Sequence, residues 1–149
     1  MNARRQRLHT RLETHLRAEA ERLLRFIRAT PQFEIPTYQR GYSWNEKQCE
    51  QLWKDIVRAG DDSNPDRNHF FGSIIYIEKG NSGSHYVIDG QQRLATIALI
   101  IEAIARAVGQ SEPEEGFSAT KLRSRYLIDP AGIGEAAHKL LLSQTDRKR

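Results

Sequence analysis

His85-Tyr86-Val87-Ile88-Asp89-Gly90-Gln91-Gln92-Arg93-Leu94-Ala95-Thr96-Ile97 decides the fold. Tyr86, Val87 and Ile88 are aromatic or β-branched and suit a short buried strand. From Leu94 the apolar positions Ile97, Ala98, Ile101, Ile104, Ala105 and Val108 fall on one helical face, and Leu99 and Ile100 widen it. That pattern predicts a long helix buried on more than one side. Asp89-Gly90-Gln91-Gln92-Arg93 lies between strand and helix. The first helical N–H groups have no partner within a helix and the dipole is positive there, so such a turn suits an anion. Gly90 admits a ligand close to the backbone, Arg93 adds a planar fork, and Gln91 and Gln92 can each donate and accept. A structural reading stands beside this one: Asp89 caps the helix, Gln92 closes a capping box, and Arg93 pairs with Asp89.

Working outward, Phe71-Gly72-Ser73-Ile74-Ile75-Tyr76-Ile77, preceded by His69 and Phe70, is the strongest strand signal, and the glycine-containing link Gly80–Ser84 predicts a hairpin with Tyr86–Ile88. Gly72 suggests a close approach by another backbone or a ligand. Upstream, Phe33 and Ile35 predict a short strand ending at Pro36. Thr37-Tyr38-Gln39-Arg40-Gly41-Tyr42-Ser43-Trp44 is a loop rich in stacking faces and polar groups. In it Arg40 is the functional candidate and Trp44 the packing one. Ser43 with Glu46 makes a second capping-box pattern, opening a helix with Cys49, Leu52, Trp53, Ile56 and Val57 on its core face and Gly60 at its end.

Leu12, Leu16, Leu23, Leu24 and Ile27 predict an N-terminal helix ending before Pro31, behind an arginine-bearing arm (Met1–Thr10) that faces solvent or touches phosphate. Residues 1–30 are thus read as helix and arm. After the central helix, Ser118 caps a short helix through Tyr126, and Asp129-Pro130, Gly132 and Gly134 break the chain. His138–Ser143 is strand or helix. The terminal Thr145-Asp146-Arg147-Lys148-Arg149 gives no closing element, so the chain is expected to be a fragment of something longer.

One domain fits 149 residues, and a formal net charge of +4 permits nucleic-acid or nucleotide binding. A single cysteine excludes an internal disulfide and a cysteine-rich zinc site. No apolar run crosses a membrane and no secretion signal is present, so a cytoplasmic setting is expected. There is no Walker loop, dinucleotide fingerprint, zinc spacing or nucleophile elbow. Any catalysis must come from the Arg40 loop and the Asp89–Arg93 turn.

Two stretches together resemble one family. Ile35-Pro36-Thr37-Tyr38-Gln39-Arg40-Gly41-Tyr42-Ser43-Trp44 matches an Ile-Pro-x-Tyr-Gln-Arg-x-Tyr-x-Trp motif. Val87–Leu94 matches an Asp-Gly-Gln-Gln-Arg motif, with His69–Ile74 as the strand between them. These are signatures of the N-terminal domain of GmrSD-type, modification-dependent restriction proteins and of the related phosphorothioation-defence effector SspE. The resemblance implies an α+β, ParB/sulfiredoxin-like fold over residues 31–149: a small mixed sheet, flanking helices and a long buried central helix. It implies a nucleoside-triphosphate-binding and hydrolysing regulatory domain in anti-phage defence. Tyr38, Gln39, Arg40, Gly72, Asp89, Gly90, Gln91, Gln92 and Arg93 would form the nucleotide site. Asp89, Gln92, Arg93 and Arg40 would take the catalytic roles, with Asp89 holding Mg²⁺. The nucleotide is GTP, CTP, UTP or ATP; the partners are DNA, modified or not, and a nuclease domain or subunit. Self-association into a homo-oligomer is left open. The family's C-terminal helical and nuclease parts have no counterpart here, so nuclease activity is not expected of this chain alone, and sulfiredoxin's cysteine has no equivalent in the turn. Two alternatives stay open: a DNA-binding sensor without turnover, and a nucleotide-gated ParB-like clamp.

Overall fold

Phe33 and Val87 are 1% and 0% exposed, and they lie on neighbouring strands in the middle of a four-stranded sheet. The structure is a computed structural model that describes residues 22–61, 71–113 and 115–148. The sheet order is β2 (Ile75–Glu78), β3 (His85–Asp89), β1 (Phe33–Glu34), β4 (Leu140–Leu141). The expected hairpin forms: β2 runs antiparallel to β3, with Tyr76 opposite Val87. β1 runs parallel to both neighbours, Phe33 pairing with His85 and with Leu140. Main-chain bonds carry this short strand further, Ile35 N–H donating to Leu141 C=O at 2.9 Å and His85 N–H to Gln32 C=O at 2.9 Å. β4 decides the ambiguity at 138–143 in favour of a strand, since two residues docked beside β1 satisfy its open edge.

The strand expected from His69 begins only at Ile75 among the described residues. The cause is local: Gly72 has φ +90°, a left-handed conformation that leaves the sheet, and within the strand that follows the register shifts between Ile75 and Tyr76. His69, Phe70, the N-terminal arm, Leu12 and Leu16 lie outside the described residues.

Above the sheet runs α3 (Gln91–Val108). Its Leu94, Ile97 and Ile101 join Phe33, Ile35, Val87, Leu52 and Ile27 in one core. Leu99, expected to widen the buried stripe, is 60% exposed. Gln92, Ala95 and Thr96, on the same side of the helix in its first two turns, are all buried, so the cover over this face ends before Leu99. The remaining helices are α1 (Leu23–Ala29), α2 (Glu46–Gly60), α4 (Ala119–Tyr126) and the short α5 (Gln144–Arg147). The molecule is α+β with a small mixed sheet, as the sequence predicts. Among the described residues no helix is long and apolar enough to cross a membrane.

α2 departs from expectation at both its cap and its face. Its N-cap is Asn45, whose side chain accepts from Lys47 and Gln48 N–H, while the Gln48 side chain accepts from Asn45 N–H. Ser43 is unavailable for this job because its own N–H is taken by Gln92. Leu52 is buried, but Trp53 and Val57 are exposed, and Cys49 is only half-buried, beside the Tyr42 hydroxyl. α4 starts as expected, Ser118 accepting from Lys121 N–H.

Glu102 on α3 binds Arg123 of α4 through both carboxylate oxygens, at 2.8 and 2.9 Å, and Arg106 at 2.9 Å. Arg123 first, then Arg106, hold its carboxyl at about 2 rather than 4.5. A depressed carboxyl stabilises the fold above its unfolded pKa and loses that contribution as pH falls through the folded one. The α3–α4 clasp is therefore expected to weaken between pH 4.5 and about 2. Thermal melts should show a shallower acid slope for Glu102→Gln than for the unsubstituted chain.

Candidate functional site

Three segments converge on the start of α3: the Tyr38–Trp44 loop, the 71–74 stretch and the Asp89–Arg93 turn. The turn comes first, because the others are tied to it. Gly90 is the N-cap of α3, with φ +92°, and no side chain caps the helix. A Cβ at Gly90 would stand 3.1 Å from Ser73 O and 3.2 Å from Ile74 Cα, so only glycine fits both the dihedral and the space.

The Asp89–Gln92 capping box does not form. Gln92 is 6% exposed and turns toward the loop. Its Oε1 accepts from Ser43 N–H at 2.8 Å and Trp44 N–H at 3.3 Å, and its amide donates to Gly41 C=O at 3.1 Å. Nor does Arg93 pair with Asp89. It donates to Ser73 C=O at 2.7 Å, and its guanidinium lies against Gly72, where a Cβ would come within 2.8 Å of Cζ. The close approach read from Gly72 is thus by an arginine side chain.

Gln39 donates to Ile88 C=O at 3.1 Å and accepts from Gln91 at 3.4 Å, tying loop to turn a second time. Thr96 donates to Gln92 C=O at 2.8 Å. Its only proton is then used, so the Tyr42 hydroxyl, 2.8 Å away, donates to Thr96 and accepts from Cys49 at 3.3 Å. Burial, then the Cys49 contact, push the Tyr42 hydroxyl pKa up, which keeps it a donor. Trp44 packs against the core.

Other groups are left uncommitted. Among the described residues, the side chains of Arg40 and Asp89 make no hydrogen bond or ion pair, and both residues are exposed. Tyr38 is 74% exposed. Arg93 is half-buried, while Gly90, Gln91 and Gln92 are buried. Arg40, Gln91, Gln92, Tyr42 and Asp146 line a groove holding about 180 Å³ of space. The groove is open to solvent and too shallow to engulf a small molecule, so a ligand would lie across it. The structure brings Gln39, Arg40, Gln91 and Gln92 together on one flank of α3, and Gly72 and Arg93 on the other. Asp89 and Gly90 stand between the two flanks.

Asp146 is the residue that sequence reasoning missed. Its Oδ2 accepts from Tyr42 N–H at 2.8 Å and from the Ser143 hydroxyl at 3.1 Å. In the sequence it sits in a charged terminal run, more than 100 residues from the loop it holds. The one available signal is Ser143 three residues before it, a helix-start spacing.

The model of the GmrSD restriction endonuclease N-terminal domain matches residues 20–147. No curated protein matches the chain. The match spans the loop, the turn and the Ser143–Asp146 segment together, and the chain belongs to the family of GmrSD restriction endonuclease N-terminal domains.

Proposed function

We propose that this chain is the nucleoside-triphosphate-binding and hydrolysing regulatory domain of a restriction system directed at modified DNA. One observation carries the reading: α3 begins in buried surroundings without a side-chain cap. The N–H groups of Gln91, Gln92 and Arg93 have no acceptor within the helix, and a buried helix start of this kind calls for one from outside. A phosphate chain supplies that acceptor.

Arg40 and Arg93 neutralise phosphate charge from the two flanks. Tyr38 offers an exposed ring on which a base can stack. Gln39, Gly72, Gly90 and Gln91 shape the binding surface, and Gln92 holds the loop that carries Arg40. Asp89 fits a magnesium ion: its carboxylate is exposed and uncommitted, and Mg²⁺ commonly takes one or two carboxylates plus substrate phosphates. When bound, the ion would neutralise charge on the phosphate oxygens. DNA, and a nuclease domain or subunit, are the partners this role requires. The division into an arm at 1–30 and a nucleotide domain at 31–149 belongs to the same proposal.

The test is Mg²⁺-dependent phosphate release from GTP, CTP, UTP and ATP, with and without modified DNA. Turnover of one of the four is expected, with KM raised at least about tenfold by Arg40→Ala. If no nucleotide binds, and DNA binding weakens steeply with salt regardless of nucleotide, the chain is a DNA sensor instead.

A further inference from the structure

The peptide unit between Gly41 and Tyr42 is held at both ends. Its C=O accepts from Gln92 at 3.1 Å and its N–H donates to Asp146 at 2.8 Å. This unit lies one residue beyond Arg40, across Gly41, so pinning it limits where the loop carries the Arg40 side chain. Asp146 is itself anchored: Ser143, 0% exposed, donates its hydroxyl to the same Oδ2, and Asp146 N–H donates back to Ser143 C=O at 3.0 Å. The other oxygen, Oδ1, faces Gly41, where a Cβ would approach to 2.9 Å. Asp146 and Arg40 line the same groove.

We infer that Asp146 is a positioning residue for nucleotide binding: it orients Arg40 through the Gly41–Tyr42 peptide, a role that rests on the nucleotide reading above. Its oxygen is occupied by the loop amide and the Ser143 hydroxyl, so it acts through Arg40. Both of those bonds are accepted by a single oxygen, and an asparagine carbonyl can accept both in its place. The positioning therefore needs an acceptor but not a charge.

Equilibrium binding of GTP, CTP, UTP and ATP with Mg²⁺ to the full chain tests this, using Asp146→Asn, Asp146→Ala, Arg40→Ala and the Arg40→Ala/Asp146→Ala pair. For the nucleotide bound most tightly, Asp146→Ala should weaken Kd about tenfold and Asp146→Asn less than about twofold, and the pair should be no weaker than Arg40→Ala alone. Global destabilisation would instead make the losses multiply. Should Asp146→Ala fail to fold, Gly41→Ala takes its place in the cycle, since its Cβ displaces the carboxylate while φ stays in the ordinary range. Multiplying losses, or an asparagine variant as weak as the alanine one, overturn the positioning role. An impaired Arg40→Ala beside a normal Asp146→Ala overturns that role and leaves the nucleotide site standing. A normal Arg40→Ala overturns the positioning role while nucleotide binding stands, and no binding by the unsubstituted chain overturns both.

Discussion

Arg93→Ala should lower nucleotide turnover by about three orders of magnitude or more while the chain stays folded, because arginines that stabilise a transferring phosphoryl group are worth that much. Arg93 also has a structural bond, to Ser73 C=O at 2.7 Å. Losing a charge-assisted bond at a half-buried position should cost about 2 kcal/mol, which a folded domain can tolerate. Activity and stability therefore separate, and phosphate release measured beside urea melts reads both. Arg93→Lys keeps the charge but loses the planar fork, and should restore only a small part of the turnover. Gly72→Ala approaches the same point from the other side. Its Cβ would press to 2.8 Å from the guanidinium carbon, at a φ of +90°. It should displace Arg93 without removing it and reproduce most of the loss. Unchanged hydrolysis by folded Arg93→Ala would remove this residue from the mechanism.

Elements with strong local periodicity were legible before the structure: α3, α4 with its Ser118 cap, and the β2–β3 hairpin. What could not be read were choices between equivalent local patterns. Ser43/Glu46 and Asn45/Gln48 both satisfy the capping-box spacing. Asn45 wins because Gln92, from another element, claims the Ser43 N–H. The same contact defeats the Asp89/Gln92 box, since one glutamine cannot close a cap and clamp a loop at once. Leu99 misleads because apolar identity alone does not say how far along a helix a face is covered; Gln92 and Thr96 on the same side are buried and hydrogen-bonded, and the cover ends before Leu99. For the site, the two motif stretches were found and their meeting was not. Arg40 and Arg93 stood out as charged forks. The fastening by Gln39, Gln91, Gln92 and Asp146 depends on non-local pairings that no window of sequence contains.

Gln92 carries the largest expected stability effect, and its pH dependence shows which way its amide points. Ser43 and Trp44 N–H both aim at Oε1, so the nitrogen must face Gly41 C=O. Gln92→Leu keeps the bulk but strips partners from two N–H groups and one C=O at a buried position. It should cost about 3 kcal/mol, read as a drop in urea midpoint, and release the Arg40 loop with a matching loss of nucleotide affinity. Gln92→Glu is more informative. A protonated glutamic acid can reproduce the network, its O–H donating to Gly41 C=O and its carbonyl accepting from Ser43 and Trp44. An ionised one places negative charge against the Gly41 carbonyl in a buried site, so its folded pKa is raised above the unfolded value of about 4.3. The unfolded chain then ionises first, and stability must fall as pH rises from about 4.3 toward the folded pKa. The glutamate variant should therefore match the unsubstituted chain near pH 4 and fall behind it by pH 8. Equal midpoints at both pH values would mean that Gly41 receives no proton from residue 92. The loop would then be held through the Ser43 and Trp44 N–H groups, Asp146 and Gln39, without the Gly41 bond.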